Sequence, residues 1–152
     1  MGGGGEQALR ILLVEDHDAL REMLARVLHD AGYAVEAVDC PAAARRLLLG
    51  ADGRYALIIA DHHLPGESGA SLVHAIQATY PMQRFLYISA DPRATALPGP
   101  DVAHDALVPA DVPRLTKPFH LVEFTDAVHR ALRLGLVLVP DLLLAVASLP
   151  LG

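Results

Sequence analysis

A single cysteine, Cys40, in 152 residues excludes an internal disulfide and suits a reducing compartment. Basic residues are in deficit as well: 12 Lys and Arg stand against 18 Asp and Glu, and the net charge of −6 repels nucleic acid rather than recruiting it. The start of the chain, Met1 then Gly2 to Gly5, lacks the basic and apolar regions of a secretory signal and reads as part of a flexible leader over residues 1–8. Nor is there an unbroken apolar run of the roughly 20 residues that cross a bilayer. Residues 135–152 come nearest, but Pro140, Asp141 and Pro150 interrupt them, so they read as an apolar C-terminal extension that packs or meets a partner. These absences predict a cytoplasmic protein with neither membrane nor nucleic-acid partners.

What is present is the material for a core. A hydrophobic fraction of 53% is incompatible with a disordered chain, and the length suits one domain. Ile11 to Val14 reads as a buried strand, after which Leu20, Met23, Leu24, Val27 and Leu28 recur at helical spacing, with Asp18 as the expected cap and Gly32 as the stop. Ala34 to Val38 is a second strand, and Pro41 suits the first turn of a helix that runs to Leu49. The apolar run ending at Ala60 is a third strand, Leu72, Val73 and Ile76 mark a third helix, and Phe85 to Ile88 is a fourth strand. Strands alternating with helices of this length imply parallel pairing through right-handed crossovers. Residues 91–113 break the rhythm, because five prolines there, at roughly 3 kcal/mol each inside a helix, exclude a full fourth helix. That segment is expected to be mobile and to tighten on ligand binding. Leu121, Phe124, Val128 and Leu132 then share one face of a final helix.

Each strand ends on chemistry. The first runs into Glu15 and Asp16, the third into Asp61, the fourth into Ser89 and Ala90, and the segment Leu115-Thr116 into Lys117 and Pro118. In open α/β sheets ligands bind at that carboxyl edge. Three carboxylates there would raise at least one pKa by mutual repulsion, and a hard divalent cation such as magnesium would relieve it. A carboxylate attacks a phosphoryl group only where positive charge offsets their repulsion, and both such an ion and Lys117 could supply it.

This ordered set of acid pair, strand-end aspartate, hydroxyl and Lys-Pro resembles the receiver domain of two-component response regulators over residues 9–134. The resemblance implies a flavodoxin-like, doubly wound α/β fold with a five-stranded parallel sheet and a degraded or irregular fourth helix, in a stand-alone receiver with no room for a DNA-binding output domain after residue 134. It implies that Asp61 is phosphorylated, with Glu15, Asp16, Asp61 and the backbone carbonyl of His63 around Mg2+. It makes Lys117 the invariant cation and Ser89 the switch hydroxyl, with Ala90 small enough to admit the donor. His63 and Asp91 occupy positions that tune the lifetime of the aspartyl phosphate. The implied donor is a sensor histidine kinase or phosphotransfer protein, and the output is a downstream protein target or use as a phosphate relay or sink. Such a protein catalyses its own phosphoryl transfer and loss without being a conventional enzyme. The last helix or the tail is a surface through which two chains could pair.

One departure stands out. Receivers usually carry an aromatic switch three residues before the lysine, where this chain has Arg114, and Tyr87 is the neighbouring aromatic that could substitute. The alternative is therefore a pseudo-receiver, an interaction module that keeps the fold without using phosphate. A phosphatase with an aspartyl intermediate ranks lower, because it wants a second acid where His63 stands. His62 and His63 as transition-metal ligands rank low too, as adjacent histidines point apart and lack a third soft ligand.

Overall fold

The computed structural model describes residues 8–50, 55–90 and 107–133. Five parallel strands form one sheet: β1 (Arg10–Val14), β2 (Ala34–Val38), β3 (Leu57–Asp61), β4 (Phe85–Ser89) and β5 (Arg114–Thr116). Their spatial order is β2-β1-β3-β4-β5, the flavodoxin-like order in which the chain reverses its winding direction between β1 and β3. Among the described residues four helices cover the sheet: α1 (Asp18–Asp30), α2 (Pro41–Gly50), α3 (Gly69–Thr79) and α4 (Leu121–Arg133). None of the described helices is long and apolar enough to cross a membrane.

The period-2 geometry of the strands divides the core in two. Leu12, Val14, Ile58, Ala60, Phe85 and Tyr87 face α2 and α3, and meet Ala44, Leu48, Leu72, Val73 and Ile76. Ile11, Leu13, Leu57, Ile59, Leu86 and Ile88 face α1 and α4, and meet Leu24, Leu28, Phe124 and Val128. All five residues of β3 and of β4 are buried, as their position inside the sheet requires, which explains runs of apolar residues without alternation.

Local chemistry sets the helix ends. The cap of α1 is His17, whose ring Nδ1 accepts from the Leu20 N–H at 3.2 Å; Asp18, the expected cap, is instead the first helical residue and pairs with Arg21 at 2.7 Å. At the other end Gly32 adopts φ +100°, its N–H donating to the His29 carbonyl while that of Tyr33 donates to Leu28. This double closure is the Schellman arrangement, for which glycine carries no Cβ penalty. The expected irregular fourth helix and the mobile segment fall mostly at 91–106, and the apolar extension at 135–152, outside the described residues. Residues 107–113 form turns.

Gly69 opens α3 directly against the end of β3. Its N–H donates to the His62 carbonyl at 3.0 Å, and a Cβ built on it would lie 1.8 Å from the Asp61 carbonyl oxygen. Alanine would gain up to about 1 kcal/mol of helix propensity, but a backbone clash of that depth costs more, about 1–3 kcal/mol for overpacking of this kind. Gly69→Ala is therefore expected to lower the midpoint of urea denaturation, and an unchanged midpoint would mean that α3 can slide off β3 freely.

Candidate functional site

The carboxyl ends of β1, β3 and β5 converge on a cleft lined by Glu15, Asp16, His17, Asp61, His62, His63 and Lys117. It lies at the reversal point of the strand order, between β1 and β3. Glu15 extends the ladder of β1, donating its N–H to Val38 at 3.0 Å, while its carbonyl accepts from Arg21 Nη1 at 3.0 Å. Asp61 is the last residue of β3, and His62 continues the pairing with β4 by donating to the Ile88 carbonyl at 2.9 Å. Lys117 follows β5, its N–H donating to the Ser89 carbonyl at 2.9 Å, and its bond to Pro118 is cis.

Four of the predicted residues meet. One carboxylate oxygen from each of Glu15, Asp16 and Asp61 lies within 4.8 Å of the others. The Lys117 ammonium sits 2.9 Å from Asp61 Oδ1 and 3.6 Å from Glu15 Oε1. Glu15 and Asp61 are each only 1% exposed, so these charges are held away from bulk water. The contact from Lys117 to Asp61 is an ion pair rather than an aligned hydrogen bond, for Glu15 Oε1, Glu15 Oε2 and Asp61 Oδ1 are all buried with no hydrogen-bond partner among the described residues. Buried carboxylate oxygens without partners are costly.

The cost shows in the protonation states. Burial, then repulsion from Asp61, pushes the Glu15 carboxyl up to about 8, with Lys117 opposing. Burial also pushes Asp61 up, but His62 and Lys117 together outweigh it and hold this carboxyl below the ordinary aspartate value. Near neutral pH the metal-free cleft thus keeps a proton on Glu15 and the negative charge on Asp61. A set of three hard oxygen donors, two of them buried and under-satisfied, fits a hard divalent cation.

The remaining predicted residues lie around this centre. Ser89 is buried at the end of β4, one residue beyond the cross-strand partner of Asp61, with its hydroxyl 3.4 Å from Thr116 Oγ1. Ala90 follows it, half-buried, and His63 is exposed at the rim. Tyr87 is fully buried in the core cluster that faces α2 and α3. Arg114 turns to the carbonyls of residues 108–112 rather than to the cleft. Asp91 lies outside the described residues.

His62 and Gly69 are the additions. The His62 ring Nδ1 stands 3.3 Å from Asp61 Oδ1, and this contact raises the imidazole's pKa against the opposing effect of burial. Its only signal in the sequence is adjacency to Asp61. Gly69 carries no periodic signal, and its close approach to Asp61 shows only in the fold.

Comparison with known proteins points the same way. The response regulator receiver domain family matches residues 11–129. The response regulator protein FleR of Pseudomonas aeruginosa is 35% identical over 123 residues, covering 81% of this chain, which spans only 24% of FleR. The response regulator receiver protein CpdR of Brucella abortus is 29% identical, with 81% of this chain and 96% of CpdR covered. Among solved structures, a response regulator receiver protein from Sinorhizobium medicae superposes with a TM-score of 0.69 at 24% identity, covering 84% of this chain and 97% of its own.

Proposed function

Because the chain belongs to the response regulator receiver domain family, we propose that it takes a phosphoryl group onto Asp61 from a phosphohistidine of a sensor histidine kinase or phosphotransfer protein. In that step the P–N bond of the donor breaks as a P–O bond to the Asp61 carboxylate forms, and the imidazole keeps the electron pair and picks up a proton. The observation that carries the reading is the cluster of three carboxylates, two of them buried, with an ammonium 2.9 Å from Asp61.

The work of these residues is mostly positioning. Glu15, Asp16, Asp61 and the His63 carbonyl would hold Mg2+, which when bound offsets the negative charge gathered on the transferring oxygens. Lys117 sits where it can follow that charge from the carboxylate to the new phosphoryl group. Keeping Asp61 ionised while Glu15 holds the proton leaves a nucleophile ready before any ion arrives. Ser89 at the adjacent strand end is the hydroxyl that would bond a phosphoryl oxygen, and His63 at the rim would govern the approach of hydrolytic water. The product acts through a protein partner, as a relay or a sink, with self-catalysed transfer and loss in place of turnover of a separate substrate.

Incubation with acetyl phosphate and magnesium should add one phosphoryl group by intact mass, released again by hydroxylamine, as an acyl phosphate requires. With a chelator in place of magnesium, the addition should fall at least ~100-fold, the scale of a lost electrostatic contact in the transition state. Failure to incorporate phosphate in magnesium would favour the pseudo-receiver, whose partner would bind regardless of phosphate.

A further inference from the structure

We infer that Arg114 is a positioning residue that fastens the turn at 108–112 to the strand carrying Lys117, so that turn and cation move as one body. The inference rests on reading Asp61 as the phosphoacceptor, and extends it to the place where the modification is felt. Strand β5 is only three residues long and, among the described residues, lies at the sheet edge and pairs with β4 alone. Its ladder is bounded by the Tyr87 N–H donating to Pro113 at 3.0 Å and the Lys117 N–H donating to Ser89 at 2.9 Å. So short an edge strand has little cooperative support of its own, and contacts outside the ladder weigh heavily in where it sits.

Arg114 supplies those contacts. Its Nη2 donates to the Val108 carbonyl at 2.8 Å, and its Nη1 approaches the carbonyls of Pro109 and Val112, each at 3.4 Å. The Val108 bond is the strong one; the other two are long. A planar guanidinium can address several acceptors from one fixed fork, which a lysine ammonium cannot. The turn it grips is itself anchored: Val112 donates to Pro109 at 3.0 Å, and the side chains of Val108 and Val112 are buried in the same cluster as Tyr87. Three residues further along the same strand direction, Lys117 contacts Asp61. When its ammonium is drawn to a phosphoryl group on Asp61, the pull is passed through β5 and the Arg114 fork to the 108–112 carbonyls. Position 114 is thus a fastener where an aromatic would be a rotating reporter, and residues 107–113, with Leu107 43% exposed, form the responding surface.

Hydrogen exchange on the full chain tests this, with magnesium and beryllium fluoride as a phosphoryl mimic. In the native protein amides of 107–113 should slow several-fold on adding the mimic, together with those following β3. In Arg114→Ala the region after β3 should still respond, so the mimic still binds, while 107–113 should not; Arg114→Lys should be intermediate. A response of 107–113 in Arg114→Ala equal to the native one overturns the inference and leaves the phosphoacceptor reading standing. If the native protein responds nowhere, the phosphoacceptor reading fails, and the fastener is judged without the mimic. Arg114→Ala should then exchange about five-fold faster or more at 107–113, the scale of one lost hydrogen bond, and equal rates sink it.

Discussion

Asp61→Asn is expected to lower phosphoryl incorporation from acetyl phosphate by at least ~10³-fold, to the detection limit of intact mass, as removal of a nucleophile does elsewhere. Asparagine keeps the shape of the strand-end side chain, so β3 and its contact with Gly69 have no steric reason to change. The amide lacks the negative charge on which the proposed attack depends and which faces the Lys117 ammonium at 2.9 Å. Lys117 keeps a second carboxylate, Glu15, at 3.6 Å and is itself only half-buried, so the substitution does not leave its charge stranded. Relief of the repulsion between Asp61 and Glu15 also lets Glu15 ionise more readily. A folded, inactive protein is therefore the expected outcome, verified by an unchanged circular dichroism spectrum. Retained incorporation at native rates would mean that another nucleophile takes the phosphate.

Much of this site was legible in the sequence because its chemistry sits at the ends of buried strands. Ile11 to Val14 and the run ending at Ala60 suit strands covered on both faces, which places Glu15, Asp16 and Asp61 where those strands emerge at one edge. Lys117 was legible through order along the chain rather than through periodicity, since β5 contributes one buried residue, Leu115. Contacts made across the fold were less accessible. The pairing of the His62 ring with Asp61 depends on the backbone turn after β3, which carries no periodic signal. The capping of α1 by His17 instead of Asp18 is a shift of one residue, decided by which side chain reaches the Leu20 N–H. Arg114 reads from sequence as a lost aromatic, yet in the fold it is a gained set of hydrogen bonds, visible only once the turn at 108–112 is placed against β5.

Glu15→Gln should have opposite effects with and without the cation, and this is the sharper test of the cleft. The Glu15 carboxyl is raised from 4.5 to about 8, by burial first and by Asp61 second. Between those values the folded state binds a proton that the unfolded state releases, so stability falls as pH rises through that window. Asp61 works in the reverse sense, because its folded pKa is lowered: its contribution is present above the unfolded value of 3.8 and is lost only at more acid pH. The two windows are separate; above pH 5 the slope comes from Glu15, joined above 6.5 by His62, whose raised pKa acts in the same sense in native protein and variant alike. At pH 7.5 the full shift corresponds to ~4 kcal/mol, and water entering the open cleft reduces this to ~1–3 kcal/mol. Glutamine never ionises, so in chelator the variant should be more stable than the native protein by that amount at pH 7.5, and nearly equal at pH 5. Added magnesium should reverse the order: native protein gains stability as its ion concentration exceeds the dissociation constant, about 2.7 kcal/mol at a hundredfold excess, while the variant, with one charged ligand removed, gains far less. Urea denaturation at both pH values, with chelator and with magnesium, measures all four differences. A Glu15→Gln protein less stable than native in chelator at pH 7.5 would show that Glu15 is not under strain, and the case for a cation-seeking cleft would lose its energetic basis.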